Sequence, residues 1–209
     1  MDAKVYLTGA GPGDPALLTL KAKQAIENSD VILYDRLANN RFLKYASSEA
    51  EKIYVGKKAK DHHYTQTEIE NLMIEKVEAG KTVCRLKGGD PFIYGRGGEE
   101  ALKLEEADID YEIIPGISSS LAVPLYAGIP LTQRHLAASF AVITGHEAAD
   151  KKESTIEIEK IAAAVDTLVV LMGVGKLAQT VERVLTAGKN PKTPVALVRW
   201  GGRSQQQTI

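Results

Sequence analysis

The 209-residue sequence predicts an α/β protein of two domains. Three observations carry that expectation. Apolar runs of strand length alternate with segments of helical period, the pattern of strands covered by helices. Glycine-rich turns follow the first and fourth of those runs, at Gly9–Gly13 and Gly88-Gly89. A Pro115-Gly116 step then interrupts the alternation and divides residues 1–115 from residues 116–209.

Each element has its own signal. The first strand is expected at Lys4–Thr8, ahead of Gly9-Ala10-Gly11-Pro12-Gly13. Asp14 can cap a short helix that opens with Pro15, where a missing N–H costs nothing. Thr19 is the expected cap of a helix reaching Asn28. Val31–Tyr34 and Lys52–Val55 read as the second and third strands. Thr65 and Glu68 have capping-box spacing, and Gly80 is a stop for the helix they open. A strand Thr82–Leu86, a helix Gly98–Ala107 and a strand Tyr111–Ile114 complete the first half. The second half is expected to hold a helix Ser118–Ala127, a strand Ser139–Thr144, a charged surface loop Glu147–Ser154 and a helix Ile156–Val165. A strand Thr167–Leu171, a helix Lys176–Thr186 and a strand Pro194–Trp200 follow. With three strands against five, and a polar end carrying no closing element, the second sheet is expected to be truncated at Ile209.

The charge balance, 26 Lys+Arg against 27 Asp+Glu, argues against a general nucleic-acid binder, which would show a basic excess. Cys84 is the single cysteine and has no internal disulfide partner; its apolar surroundings point to the core. Met1-Asp2-Ala3-Lys4 lacks the apolar stretch of a signal peptide, and the longest apolar runs are too short to span a bilayer, so a cytoplasmic protein is expected. The four histidines show no metal-ligand spacing.

Four segments carry possible chemistry. The Gly9–Asp14 turn lies where backbone N–H groups can face an anion, but Asp14 replaces the third glycine of a dinucleotide fingerprint and Pro12 removes a donor. Arg85-Leu86-Lys87-Gly88-Gly89-Asp90-Pro91-Phe92, continuing to Gly95-Arg96-Gly97-Gly98-Glu99-Glu100, follows a buried strand. Ligands of open α/β sheets sit outside the carboxyl ends of strands, and two adjacent glycines let a flat group approach the backbone. Tyr34-Asp35-Arg36-Leu37 and Val55-Gly56-Lys57 stand at two strand ends, so Asp35 and Lys57 are either acid–base partners or a surface ion pair. Pro115-Gly116-Ile117-Ser118-Ser119-Ser120 offers hydroxyls and free N–H groups at a helix start, for a ligand or for simple capping.

In order, these segments resemble the tetrapyrrole methylase family. The matching stretches are Val5–Leu20, Tyr34–Leu37, Val55–Lys57, Arg85–Glu100, Pro115–Ser119, Ile129–Arg134, Leu171–Val174 and Pro194–Gly201. The resemblance implies two α/β domains of tetrapyrrole methylase type with the active-site cleft between them, and a homodimer. It implies that S-adenosylmethionine is held by Pro12, Gly88, Gly89, Asp90, Ile93, Ser118, Ser119, Met172 and Gly201, leaving S-adenosylhomocysteine as product. Asp35 matches the family's proton acceptor and Lys57 its proton donor. Tyr34–Leu37 with Val55–Lys57 narrows the substrate to uroporphyrinogen III, methylated twice, at C2 and C7, to give precorrin-2 for sirohaem and cobalamin. Ser118-Ser119 stand where some members have Thr-Ala.

That chemistry suits the residue types. An electron-rich pyrrole carbon can attack a sulfonium methyl directly, without a metal, if donor and acceptor are aligned. A substrate with many carboxylates needs cations, and Arg36, Lys57, Arg85, Arg96 and Arg134 are available. The rivals are a later precorrin methyltransferase, a ribosomal-RNA methyltransferase of the same fold and a non-catalytic binding module.

Overall fold

The computed structural model describes residues 3–56, 64–146 and 156–209. The chain falls into two compact units, Met1–Ser119 and Ser120–Ile209. Lys57, His62, His63 and the expected loop Glu147–Ser154 lie outside the described residues. No helix among those described is long and apolar enough to cross a membrane.

The first unit is built on five parallel strands: β1 (Val5–Gly9), β2 (Val31–Tyr34), β3 (Glu51–Tyr54), β4 (Val83–Lys87) and β5 (Tyr111–Ile114), in the order β3-β2-β4-β1-β5. β4 is central, and all five of its residues are buried. Alternation along the strands makes two cores. On one face Val5, Leu7, Val31, Leu33 and Val83 pack with Ile69 and Met73 of α2 (Gln66–Glu78) and with Ala101 and Leu104 of α3 (Gly97–Glu106). On the other, Ile32, Cys84, Leu86 and Ile114 pack with Ala22, Ala25 and Ile26 of α1 (Leu20–Glu27) and with Phe42. Cys84 is thus a core residue, and burial pushes its thiol up to about 12.

The helix ends follow local chemistry. Thr19 accepts from Ala22 N at 3.1 Å and opens α1. Thr65 and Glu68 form the reciprocal capping box at the start of α2, and Gly80, at φ 76°, ends the segment. Asp14 caps a 3₁₀ turn at Pro15–Leu17. A second 3₁₀ turn, Asn40–Tyr45, carries no helical apolar period in the sequence; it is set by Asn39, whose side chain accepts from Arg41 N.

The second unit holds α4 (Ser119–Tyr126, beginning at the last residue of the first unit), a parallel pair β6 (Phe140–Thr144) and β7 (Thr167–Leu171), α5 (Ile158–Ala164) and α6 (Leu177–Thr186). Asp166 joins the two strand starts by accepting from Ala138 N, Ser139 N and the Ser139 hydroxyl. Arg183 of α6 donates twice to Glu159 of α5, which draws the Glu159 carboxyl down to about 2. The expected strand Pro194–Trp200 shrinks to β8 (Val198–Arg199). The expectation of a polar end without a closing element is overturned, because Gln207–Thr208 forms β9, antiparallel to β8. Trp200 and Gly202, both at positive φ, turn the chain back so that Leu197 and Ile209 exchange both backbone hydrogen bonds.

Candidate active site

Because all five strands of the first unit are parallel, their carboxyl ends share one edge. The loops leaving β1, β2, β4 and β5 are locked to one another there. Gly11 and Gly89 exchange backbone hydrogen bonds at 3.0 and 2.7 Å. Gly9, Gly89 and Gly116 cross so closely that a Cβ on Gly9 would lie 2.5 Å from Gly116 N, and one on Gly116 would strike Gly89 O. Asn39 donates to Gly13 O at 2.7 Å. Asp90 ties two loops: one oxygen accepts from Phe92 N at 2.9 Å, the other from Gly116 N at 3.1 Å. Asp90 is therefore committed to the loop architecture through both oxygens.

The two glycines after β4 are not equivalent. A Cβ on Gly88 would meet Leu37 Cβ at 2.5 Å, so its missing side chain is filled by the Tyr34–Leu37 turn. The expectation that Gly88 leaves its face open to a flat group is corrected on that ground. Gly89, at φ 70°, is the uncrowded one: a Cβ there would make only ordinary contacts, with Ser119 N at 3.9 Å and Ser118 Cα at 4.0 Å. Ser118 is buried beside it and Ser119 begins α4. Pro12 is half-buried in the β1 loop, while Ile93 is exposed with its neighbours Phe92 and Tyr94.

Asp35 sits at the end of β2. Its Oδ1 accepts from Leu37 N at 2.9 Å and Ala38 N at 3.3 Å, which fixes the turn, and its Oδ2 accepts from Arg85 Nη2 at 3.3 Å. Behind it lies a buried charge network. Arg85 Nε and Lys87 Nζ donate to Glu100 Oε1 at 3.2 and 2.7 Å, and Gln66 Nε2 donates to the same oxygen at 3.3 Å. Burial pushes the Lys87 amine below its ordinary value; Arg85 adds to the fall, and Glu100 and Asp35 oppose it. Glu100 carried no assigned role in the sequence. The signal was present, because Gly97, Glu100, Ala101 and Leu104 have the spacing of one helical face. Arg85 and Lys87 likewise alternate with Cys84 and Leu86 along β4.

Arg36 is exposed, and Arg96 is exposed and paired with Glu99 at 2.6 Å. In the second unit Met172 follows β7, exposed and at φ 56°. Gly201 is buried: a Cβ there would lie 2.5 Å from Val123 Cγ1. Lys57 lies outside the described residues.

Looped glycines at the carboxyl edge of a parallel sheet, with an acid held beside them, define a ligand-binding α/β enzyme class. Residues 4–209 match the family Tetrapyrrole (Corrin/Porphyrin) Methylases, and the chain belongs to that family. It is 50% identical over 210 residues to a uroporphyrinogen-III C-methyltransferase of Methanocaldococcus jannaschii, covering 100% of this chain and 86% of that protein. A uroporphyrinogen-III C-methyltransferase of Priestia megaterium is 49% identical over 206 residues, covering 99% of this chain and 86% of the relative. The crystal structure of the Thermus thermophilus uroporphyrin-III C-methyl transferase complexed with S-adenyl homocysteine superposes with a TM-score of 0.84 at 40% identity, covering 99% of this chain and 87% of that one.

Proposed function

We propose that this protein transfers methyl groups from S-adenosylmethionine to C2 and C7 of uroporphyrinogen III, giving precorrin-2 for sirohaem and cobalamin. The observation that carries the reading is the uncrowded backbone at Gly89 beside Ser118 and Ser119, with the Arg85-held carboxylate of Asp35 at the same sheet edge. The relatives' names and the S-adenyl homocysteine bound to the Thermus protein support the donor and the substrate.

The residues present fit such a donor. Gly89 lets a ligand come up to the backbone beside Ser118 and Ser119. Pro12, Gly88, Gly89, Asp90, Ile93, Ser118, Ser119, Met172 and Gly201 are assigned to it, with Gly88 and Asp90 acting through the loop they shape. When bound, the donor supplies an electrophilic methyl on a sulfonium.

The protein's part is alignment and proton removal. The pyrrole carbon that gains the methyl is already fully substituted, so methylation leaves the macrocycle positively charged. A proton must leave from elsewhere on the macrocycle as its enamine reorganises, and Asp35 takes it. Asp35 Oδ1 is occupied by two backbone amides, whereas Oδ2 accepts from Arg85 alone among the described residues, leaving a lone pair for that proton. Lys57 is assigned the returning proton. The protein works as a cytoplasmic homodimer in this reading, which rests on the family resemblance. Sedimentation at micromolar concentration checks this, and a clean monomer would refute it. The activity itself is tested with methyl-labelled donor and uroporphyrinogen III, a later precorrin or RNA. Label entering uroporphyrinogen alone is expected; label in RNA or only in the later precorrin would overturn the assignment.

A further inference from the structure

The charge network behind Asp35 has a direction. Side-chain exposure is 0% for Glu100, 4% for Lys87, 4% for Arg85 and 24% for Asp35. One carboxylate and two cations are thus buried in a row, and the row opens toward solvent at the half-buried Asp35. Burying three charges is a poor way to stabilise a core, because a well-packed apolar group in place of a buried ion pair is often neutral or better. Glu100 Oε1 takes three donors, while Oε2 is buried with no hydrogen-bond partner among the described residues. That arrangement costs stability. What it secures is the guanidinium plane of Arg85: Nε is held by Glu100, Nη1 by the carbonyl of Leu86 at 3.2 Å, and Nη2 is left pointing at Asp35.

We infer that Glu100 is a positioning residue for methyl transfer, which acts by fixing Arg85 so that Arg85 presents the Asp35 carboxylate to the substrate. The inference rests on the proposed role of Asp35 as proton acceptor. Glu100 touches neither substrate nor donor. Without the charge on Glu100 the bond from Arg85 Nε is reduced to an ordinary one, and the guanidinium plane is held less firmly although Leu86 O still accepts from Nη1. Oδ2 of Asp35 is then free to turn, while its Oδ1 contacts to Leu37 and Ala38 remain.

A double-mutant cycle on the full chain tests this. Glu100→Gln should lower kcat roughly 10-fold, the size of a coupling within one hydrogen-bonded network, with the affinity for S-adenosylhomocysteine unchanged. In an Asp35→Asn background the same substitution should change kcat by less than about 2-fold, because the group it positions is gone. Glu100→Asp, which keeps the charge one methylene short, should recover part of the rate, and it takes the place of Glu100→Gln in the cycle if the amide does not fold. A parent kcat in Glu100→Gln overturns the inference. So does a loss that persists undiminished beside Asp35→Asn, which marks Glu100 as a structural residue only. A parent rate in Asp35→Asn alone overturns the role of Asp35 first, and this inference with it.

Discussion

A methyl group on Gly88 would lie 2.5 Å from Cβ of Leu37, so the loop after β4 is bare at that position because the Tyr34–Leu37 turn rests on it. Gly88 is therefore linked to Asp35, whose Oδ1 holds the same turn through Leu37 N. Gly88→Ala is expected to displace that turn, at a cost of about 1–3 kcal/mol for a group forced into packed space. Turnover should fall further than affinity for S-adenosylhomocysteine. Calorimetry alongside initial rates checks this; a variant that loses only ligand affinity contradicts the placement of Leu37.

Gly89 gives the complementary result. Its φ of 70° makes a side chain strained by about 1 kcal/mol or more, and the side chain would project toward Ser118 and Ser119. Gly89→Leu should weaken S-adenosylhomocysteine binding at least 10-fold, since the side chain would fill the space beside Ser118 and Ser119 assigned to the donor. Binding at the parent affinity in a folded variant would remove the donor from this face.

How far the sequence foretold these relationships depends on their range. Thr19, Thr65 with Glu68, and Gly80 act within a few residues, and the structure has each end where local chemistry puts it. The five strands of the first unit were visible because their apolar runs are bounded by turns. Contacts across loops were not visible. Gly88 against Leu37 and Gly9 against Gly116 depend on strand order, and nothing local to either residue specifies it. Glu100 was masked by Glu99 beside it, since one faces solvent and the other the core. Gln207–Thr208 read as a polar end because a two-residue strand carries no period; it is a strand only through Val198 and Arg199.

Glu159 provides a pH test within the second unit. Its carboxyl is held at about 2 by Arg183, while the unfolded chain returns it to the ordinary 4.5. The contact therefore contributes fully above 4.5 and is lost as pH falls through about 2. The difference in urea midpoint between the parent and Glu159→Gln should be constant at neutral pH and should shrink on approach to about pH 3. A difference independent of pH would show that Arg183 is held by its Ile156 carbonyl contact at 2.9 Å, not by Glu159.

Asp35→Asn separates proton removal from donor binding. The amide keeps an oxygen to accept from Leu37 N and Ala38 N, so the turn should stay formed. It loses the basic lone pair and weakens the charge-assisted bond from Arg85. Turnover of uroporphyrinogen III should fall by about 10²–10⁴-fold, the usual contribution of a positioned acid or base. Affinity for S-adenosylhomocysteine should stay within about 2-fold, since no atom of Asp35 is assigned to the donor and substitutions at independent sites leave each other's free energies nearly unchanged. Asp35→Ala removes the turn contacts as well, so it should add a loss of stability to the same loss of rate. If Asp35→Asn turns over at the parent rate, Asp35 is an ion-pair partner of Arg85 and nothing more. If it loses donor affinity together with rate, the carboxylate belongs to the donor pocket, and the base must be sought elsewhere along the same sheet edge.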